Sequence, residues 1–403
     1  MSQAMMRRAK EQVRFKNEDM DYFFLWVLGA GGLDVGEAFY VASQIRDGSP
    51  ESWSDQFRAF ARRLEDRAKQ LQQAGKRKSA GETRFKAFCA DRYAAQFMNV
   101  RQPAFRECVE TFKRNFQQSL VLLGAPVSPV EIPFEGKTLP GLFMRSPSAE
   151  GRLPTLLMIG GGDTYVEDLY GFVGPVGLQR GYNVLAVDLP GQGATPFNGQ
   201  FFRPDYETPV RAVVDWISSR PEVDMERLAI YGLSGGGYMV TRATAYEHRI
   251  RACIANTPLL DVARLLTQDI PKALQNAPGP FTAALIHLAG AVNEIGKVNL
   301  EKFYWQGGVN DFQEFVKGAQ TAKVDPALIT CPYLCLAGEG DPPSAIEQTN
   351  EVYSRLTSPK KAIRIFTVEE GADAHCTINN LSLMRQVLFD WLDDALANDS
   401  PMR

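Results

Sequence analysis

The most informative stretch of this sequence is Leu228-Ala229-Ile230-Tyr231-Gly232-Leu233-Ser234-Gly235-Gly236-Gly237-Tyr238, an apolar strand followed by Gly-x-Ser-x-Gly and the start of a helix. In this arrangement the serine lies on a sharp turn between the carboxyl end of a strand and the start of a helix. Glycines are needed two positions to either side, because bulkier residues would collide with neighbouring strands. Gly232 and Gly236 meet this requirement, so the pattern predicts that Ser234 is a nucleophile. The alternative is an ordinary turn rich in glycine and serine.

Short apolar runs alternate with amphipathic segments on both sides of this motif, from about residue 128 onward. The predicted strands are Val130–Phe134, Leu139–Met144, Thr155–Ile159, Val184–Val187, Leu228–Tyr231, Cys253–Ala255, Tyr333–Ala337 and Ile363–Val368. The predicted helices cover about 166–180, 206–219, 236–247 and 379–397. Such alternation is typical of a mostly parallel sheet covered by helices on both faces. The first two runs lie close together, which predicts an antiparallel hairpin at the edge of the sheet.

A serine hydroxyl is a good nucleophile only when a base accepts its proton, and in this arrangement the base follows the serine in the chain. The sequence contains only 3 histidines. His248 is placed about 20 Å from Ser234 along the same helix, at about 1.5 Å per residue, and is expected at the surface. His287 lies in a helical insertion and could line a pocket. His375 follows the last predicted strand, so it is the predicted general base.

The acid that orients the base is expected at the end of the preceding strand, where Glu339 and Asp341 stand on either side of Gly340. Asp341, just past the tight glycine, is the predicted partner that holds the imidazole tautomer and stabilises the imidazolium. Glu339 is the alternative. Asp373 is only two residues before His375 and is expected to cap its loop.

Two backbone amides are predicted to stabilise the oxyanion that forms during attack. Gly235 begins the helix after Ser234, so its amide faces an incoming carbonyl oxygen with the helix dipole behind it. Gly162 follows the third strand, in a glycine run that lacks the Gly-Lys-Ser/Thr of a phosphate loop, and is the second predicted donor. Asp163 and Tyr165 are placed at the pocket entrance, where they either transfer a proton or cap the following helix.

Composition excludes several classes of function. The chain has 403 residues with 44 basic and 47 acidic side chains, a net charge of -3, so no global field attracts nucleic acid or an anionic membrane. The 6 cysteines are too sparse for a disulfide framework and lack zinc-site spacing. With no secretory signal or membrane span, the sequence predicts a cytoplasmic protein that needs neither metal nor cofactor and binds a small apolar or aromatic substrate.

The domain organisation follows from where the strands begin. Residues 1–127 are predicted to form a helical domain, and residues 128–403 the sheet-containing core. Residues 258–327 interrupt the alternation and are predicted to be a helical lid, with helices near 262–266, 281–291 and 311–320. Long insertions after the carboxyl end of a strand are where α/β enzymes build substrate pockets.

On these residues the chain from about 128 to 403 resembles the α/β-hydrolase superfamily. Over its whole length it resembles the branch that includes 2,6-dihydroxypseudooxynicotine hydrolase, a fungal heptaketide-shortening hydrolase of pigment synthesis and the fermentation-respiration switch protein. The stretches that carry the resemblance are Gly48–Trp53, Gly161–Thr164, Phe202–Glu207, Gly232–Tyr238 and Gly371–Cys376.

The resemblance implies a triad of Ser234, Asp341 and His375, and an amino-terminal helical domain that covers the active site and often forms a homodimer. It also implies attack on a ketone or acyl carbon, because members of this branch cleave a carbon–carbon bond in 1,3-diketone-like or acylated aromatic substrates. Others are esterases. A carboxylesterase or peptidase with the same triad is therefore one alternative, and a hydrolase-like regulatory binding protein is another.

Overall fold

The computed structural model describes residues 13–29, 32–146, 150–267 and 293–397. They form two compact units. The helical unit contains the described residues up to Val127 together with those from 293 to Phe315, and the sheet unit contains the described residues of 128–267 and 316–397. The predicted helix at 281–291 and His287 lie outside the described residues.

The helical unit contains α1 (Glu18–Gly29), α2 (Val35–Ser43), α3 (Pro50–Gln73), α4 (Arg77–Gln96), α5 (Pro103–Leu123) and, from much later in the chain, α10 (Glu294–Gly307). Local sequence explains several helix ends. The Ser49 hydroxyl accepts a hydrogen bond from the Ser52 amide at the start of α3, with Pro50 in the first turn. Gly124 ends α5 at φ 67°, a left-handed conformation that glycine adopts without a steric penalty.

The helix α10 packs with the amino-terminal helices, although it belongs to the segment predicted as a lid. The Trp305 ring meets the Phe105 ring edge to face, with centroids 5.4 Å apart. The buried Lys302 donates a hydrogen bond to the Gln96 carbonyl at the end of α4. Residues 293 to Phe315 thus complete the helical unit, whereas residues 258–267 and 316–327 of the predicted lid belong to the sheet unit.

The sheet unit is built on an eight-stranded sheet. Its strands are β1 (Val127–Phe134), β2 (Lys137–Met144), β3 (Leu153–Ile159), β4 (Asn183–Val187), β5 (Val223–Leu233), β6 (Ala252–Asn256), β7 (Tyr333–Gly338) and β8 (Lys361–Phe366), in the spatial order β1-β2-β4-β3-β5-β6-β7-β8. β2 is antiparallel to β4, and every pairing from β4 to β8 is parallel. The prediction of a mostly parallel sheet is therefore confirmed.

The predicted edge hairpin is formed by β1 and β2. Its two-residue connection, Glu135 and Gly136, has φ values of 46° and 73°. Positive φ at both positions is typical of the type I′ turn, whose twist matches that of antiparallel strands.

Helices cover both faces of the sheet. The helices of the sheet unit are α6 (Val166–Gln179), α7 (Glu207–Ser218), α8 (Gly235–Tyr246), α9 (Val262–Thr267), α12 (Pro343–Arg355) and α13 (Leu381–Leu396), and the residues of α11 (Phe312–Ala319) are divided between the two units. On one face α7, α8 and α12 pack on Leu157, Ile230 and Cys253. All residues of β4, β6 and β7 are buried, as expected for central parallel strands. None of the helices in the described ranges has both the length and the apolar character required to cross a bilayer.

Candidate active site

Ser234 lies on a tight turn between β5 and α8. Its backbone has φ 54° and ψ -125°, a region that residues with a Cβ rarely adopt. The Ser234 amide donates a 2.6 Å hydrogen bond to the Asn256 carbonyl at the end of β6, and the Ser234 carbonyl accepts one of 2.8 Å from the Gly237 amide. These bonds hold the strained residue from both sides, which fixes where its hydroxyl points.

The flanking glycines are required by close packing. A Cβ added to Gly232 would lie 2.3 Å from the Gly236 carbonyl oxygen, and one added to Gly236 would lie 2.3 Å from the carbonyl oxygen of Gly160. No side chain fits at such distances, so the turn can form only with glycine at both positions. Gly236 is therefore required by its close contact with the backbone at the end of β3, and Gly232 by its close contact with the backbone of the turn itself.

His375 connects the serine to a carboxylate. It follows β8 in a loop, and its Nε2 lies 2.8 Å from Ser234 Oγ while its Nδ1 is hydrogen-bonded to Asp341 Oδ1. A carboxylate accepts only, so Nδ1 carries the proton and donates it to Asp341. In the neutral ring Nε2 carries no proton and accepts a hydrogen bond from the Ser234 hydroxyl. This is the geometry that a nucleophilic serine needs.

Asp341 is itself held by two donors. Its Oδ2 accepts a 3.0 Å hydrogen bond from the Thr257 hydroxyl and one of 2.9 Å from the Gly338 amide. The Asp341 side chain is completely buried, so these contacts replace the water that an exposed carboxylate would bind. Both carboxylate oxygens are occupied, and Oδ1 is consequently directed at the imidazole.

The charge environment of His375 favours its protonated form. Burial is the strongest influence and by itself lowers the pKa of the imidazole, because it penalises the cation. The electrostatic influence of Cys376 and of the Asp341 carboxylate, together with the hydrogen bonds to both, outweighs burial and raises the pKa of His375 above its ordinary value. The imidazolium that forms when His375 takes up a proton is therefore stabilised.

The loop after β3 lies beside the serine. A Cβ added to Gly161 would stand 2.7 Å from Ser234 Cβ and 3.2 Å from Ser234 Oγ. The Gly162 amide nitrogen is 3.4 Å from the place that a Cβ on Gly235 would occupy. The two amides predicted as oxyanion donors are thus brought together next to the hydroxyl. Gly235 also opens α8, where the first amides have no carbonyl partner within the helix.

Comparison with known proteins identifies the family of this chain. A family model described as the alpha/beta hydrolase family matches residues 156–380. The chain is 30% identical over 415 residues to 20-hydroxy-prefusarin hydrolase of Gibberella moniliformis, covering 95% of this chain and 98% of that protein. The chain belongs to the α/β-hydrolase family. The resemblance inferred from the sequence motifs is confirmed.

Further relatives of this α/β-hydrolase extend over nearly its full length. It is 30% identical to an alpha/beta hydrolase of Penicillium citrinum, over 93% of this chain and 95% of that one. Among solved structures, 2,6-dihydroxy-pseudo-oxynicotine hydrolase has the same fold, with a TM-score of 0.70 at 22% identity over 93% of this chain and 95% of that chain. The protein is therefore an enzyme, a hydrolase, which leaves no support for the alternative of a purely regulatory binding protein.

Four other residues singled out from the sequence lie outside the hydrogen-bonded chain of Ser234, His375 and Asp341. Asp163 is half-buried in the loop between β3 and α6, and Tyr165 is buried at the start of α6, where its amide donates to Asp168. Asp373 accepts a hydrogen bond from the Asn379 side chain, which ties down the His375 loop as expected. His248 is exposed just beyond the end of α8.

Sequence reasoning missed Thr257. It follows β6, and nothing in the local sequence marks a threonine there as a partner of a carboxylate 84 positions later. Only the parallel pairing of β6 with β7 brings the two residues together. The single available clue is position, because residues at the carboxyl ends of parallel strands meet at one edge of the sheet.

Proposed function

We propose that this hydrolase cleaves its substrate through an acyl-enzyme on Ser234, with His375 as general base and Asp341 as the orienting acid. The observation that supports the proposal is the continuous hydrogen-bonded chain from Ser234 Oγ through both imidazole nitrogens to the buried Asp341. Such a chain lets a neutral serine become nucleophilic at the moment of attack.

In the first step Ser234 Oγ attacks a carbonyl carbon and transfers its proton to His375 Nε2. The carbonyl oxygen becomes an oxyanion, for which the Gly235 and Gly162 amides are the proposed donors. Asp341 stabilises the imidazolium and keeps the ring in place, because its own position is set by Thr257 and Gly338.

In the second step the tetrahedral intermediate collapses, and the bond between the carbonyl carbon and the leaving group breaks. For a ketone the leaving group is a carbanion, which must be stabilised by a neighbouring carbonyl or aromatic ring and must receive a proton. The His375 imidazolium supplies that proton, or Asp163 supplies it through a water molecule. Water, activated by His375, then releases the acyl group from Ser234.

The proposed substrate is a ketide-like or aromatic ketone with a second carbonyl nearby. It is supported by the similarity, over nearly the full length, to 20-hydroxy-prefusarin hydrolase, whose name gives 20-hydroxy-prefusarin as the compound it acts on. An ester or amide would pass through the same attack and the same oxyanion. The bond that is cleaved therefore has to be identified by its products.

The nucleophile is tested with a fluorophosphonate probe, which labels an activated serine covalently. We expect the wild-type protein to be labelled on Ser234, Ser234→Ala to lose both labelling and turnover, and His375→Ala to lose at least about 10³-fold in rate. His248→Ala is the matched control, since it removes an exposed imidazole, and it should keep the wild-type rate. Persistent labelling of Ser234→Ala would contradict the proposal.

The cleaved bond is tested with a panel of 1,3-diketones, acylated aromatic ketones and matched esters, with products identified by mass spectrometry. Carbon–carbon cleavage yields a carboxylic acid and a shortened ketone or arene from the diketone. If only esters and amides are hydrolysed, the carbon–carbon proposal fails, although the serine mechanism stands.

A further inference from the structure

The buried side chain of Gln192 links the turn after β4 to the glycine loop beside the serine. Gln192 is fully buried, and its Nε2 donates hydrogen bonds to the carbonyl oxygens of Gly160 and Gly161, the latter at 3.1 Å. Its Oε1 accepts a 2.9 Å hydrogen bond from the Leu189 amide.

The Gln192 amide fits in one orientation only. The Leu189 amide is a donor, so the group facing it must be the Oε1 acceptor. The group facing the two carbonyl oxygens must then be the Nε2 donor. Reversing the amide would oppose donor to donor and acceptor to acceptor, with every group buried, which costs several hydrogen bonds. The side chain is therefore locked by its own partners.

This contact determines the direction of the Gly162 amide. The Gly161 carbonyl and the Gly162 N–H belong to one planar trans peptide group and point in opposite directions. The Gly161 oxygen is fixed by Gln192 Nε2 and by a second donor, the Thr164 hydroxyl at 3.2 Å. The Gly162 N–H is thereby turned away from Gln192, and its nitrogen lies next to Gly235.

We propose that Gln192 is a positioning residue for the oxyanion site, which it preorganises by holding the Gly161–Gly162 peptide plane. The inference rests on the proposed function, because it assigns a role in stabilising the oxyanion on the Ser234 adduct. Gln192 touches no reacting atom. Gln192 acts through one peptide group, so its replacement should lower kcat, which reports stabilisation of the transition state, and should leave substrate binding unchanged.

The test compares two activated aryl esters that differ in one atom, a carbonyl oxygen in one and a thiocarbonyl sulfur in the other. Sulfur accepts hydrogen bonds poorly, so the ratio of kcat for the oxygen ester to kcat for the sulfur ester reports oxyanion stabilisation alone. The variants are Gln192→Met, which keeps the length and loses both polar groups, and Thr164→Val, which removes the second donor to the Gly161 oxygen. Fluorophosphonate labelling and thermal midpoints are measured on each.

The matched control is Gln200→Met. Gln200 is buried in the same loop, and its side-chain nitrogen and oxygen have no hydrogen-bond partner among the described residues. Its replacement therefore removes the same chemical group from the same environment without touching the Gly161 oxygen. We expect it to leave the ratio at the wild-type value.

For Gln192→Met we expect kcat for the oxygen ester to fall about 10- to 100-fold, less than the roughly 10²–10³ seen when an oxyanion donor is removed outright. KM should be unchanged, and the sulfur ester should be affected less than about threefold, so that the ratio falls. Thr164→Val should lower the ratio in the same direction by a smaller factor.

An unchanged ratio in a folded Gln192→Met protein would overturn the inference, even if both esters were hydrolysed more slowly, because that result indicates general loosening of the site. Should Gln192→Met fail to fold, an unchanged ratio in Thr164→Val would overturn it equally. Wild-type protein that is neither labelled nor active would overturn the proposed function together with this inference. Labelled wild type with an unchanged variant ratio would overturn this inference alone.

Discussion

In the proposed mechanism, the protonation of His375 sets the pH range in which Ser234 can be activated. The imidazole must be neutral to accept the hydroxyl proton, and the charges around it raise its pKa above the ordinary value of about 6.5. The reactive form is therefore lost as the pH falls through the raised pKa. The same raised pKa makes His375 a stronger base once it is neutral.

We predict that the labelling rate of the wild-type protein rises with pH, with a midpoint above about 6.5. In Asp341→Asn the negative charge beside the ring is gone, so the pKa of His375 falls and the midpoint moves to lower pH. The maximal rate should also fall about 10³- to 10⁴-fold, because the asparagine no longer holds the productive tautomer. The measurement is the second-order rate of fluorophosphonate labelling between pH 5 and 10.

Glu339→Gln is the matched control, since Glu339 is the alternative acid in the same turn. It should keep both the midpoint and the maximal rate. A midpoint that shifted in Glu339→Gln and stayed in Asp341→Asn would reverse the assignment of the two carboxylates.

Residues could be predicted where chemistry restricted the choice. Three histidines and a fixed chain order pointed to His375, and the structure brings it against Ser234 and Asp341. Gln192 and Thr257 could not be predicted, because glutamine and threonine are common residues. Their importance depends on partners that only the folded sheet supplies.

Among the elements, α3, α4 and α5 share a buried polar network. Asp91 of α4 is 1% exposed and pairs with Arg58 of α3 at 2.8 Å. Asn115 of α5 donates to Asp91 and to Glu65, and its oxygen accepts from Arg84. Burial raises the pKa of Asp91 to about 7, although the charge of Arg58 opposes the shift. The carboxyl of an unfolded aspartate titrates near 3.9. The contribution of Asp91 to the free energy of unfolding therefore falls as the pH rises from that value through the folded pKa, and it is smallest above the folded pKa.

We predict that Arg58→Met lowers the free energy of unfolding by about 3 kcal/mol at pH 8, where an ionised Asp91 is left buried without its cation. At pH 5.5 the loss should be smaller, because Asp91 then binds a proton and is neutral. Thermal and denaturant unfolding at the two pH values measure the difference.

Arg62→Met serves as the control, because Arg62 lies on the same helix and is exposed. Its effect should be small at both pH values. An Arg58→Met destabilisation that is equal at pH 5.5 and pH 8 would show that the Asp91 charge is not the cause.

Strands were easier to predict than helices in this chain. All eight predicted runs are strands, with ends that differ by a few residues, because buried parallel strands read as continuous apolar runs. The helices α10 and α12 were missed. α12 is largely polar apart from a narrow buried stripe, so its apolar periodicity is weak. α10 buries the charged Lys302 together with Tyr304, so its buried face cannot be recognised from apolar residues alone.

At the level of the whole molecule, the helical unit is made from two separated parts of the chain. Arg101 pairs with Glu301, Phe105 packs on Trp305, and the Asn299 side chain donates to Asp19. No local pattern could predict these contacts, because their partners lie about 200 or more positions apart. The sequence predicted one lid at residues 258–327, because they interrupt the alternation of strands and helices. In the structure, the described parts of this segment are divided between the two units.

We predict that Trp305→Ala in the full-length protein loosens α5. The aromatic contact with Phe105 is lost, so hydrogen exchange of the slowest α5 amides should become about tenfold faster, which corresponds to roughly 1.4 kcal/mol. Tyr40→Ala provides the control in the same unit, because Tyr40 is 54% exposed and the loss of its ring should leave α5 unchanged. Equal acceleration by both substitutions would argue against a specific role of α10.

The distance between the two parts of the helical unit also imposes an order of assembly on the growing polypeptide. A ribosome that has finished α5 must add some 170 further residues before α10 exists. At a synthesis rate of about 5–20 residues per second, the surface that receives Trp305 and Lys302 stays uncovered for roughly 10–30 s. During this interval the amino-terminal helices leave part of their apolar surface exposed to water, which makes that surface available for a chaperone to bind.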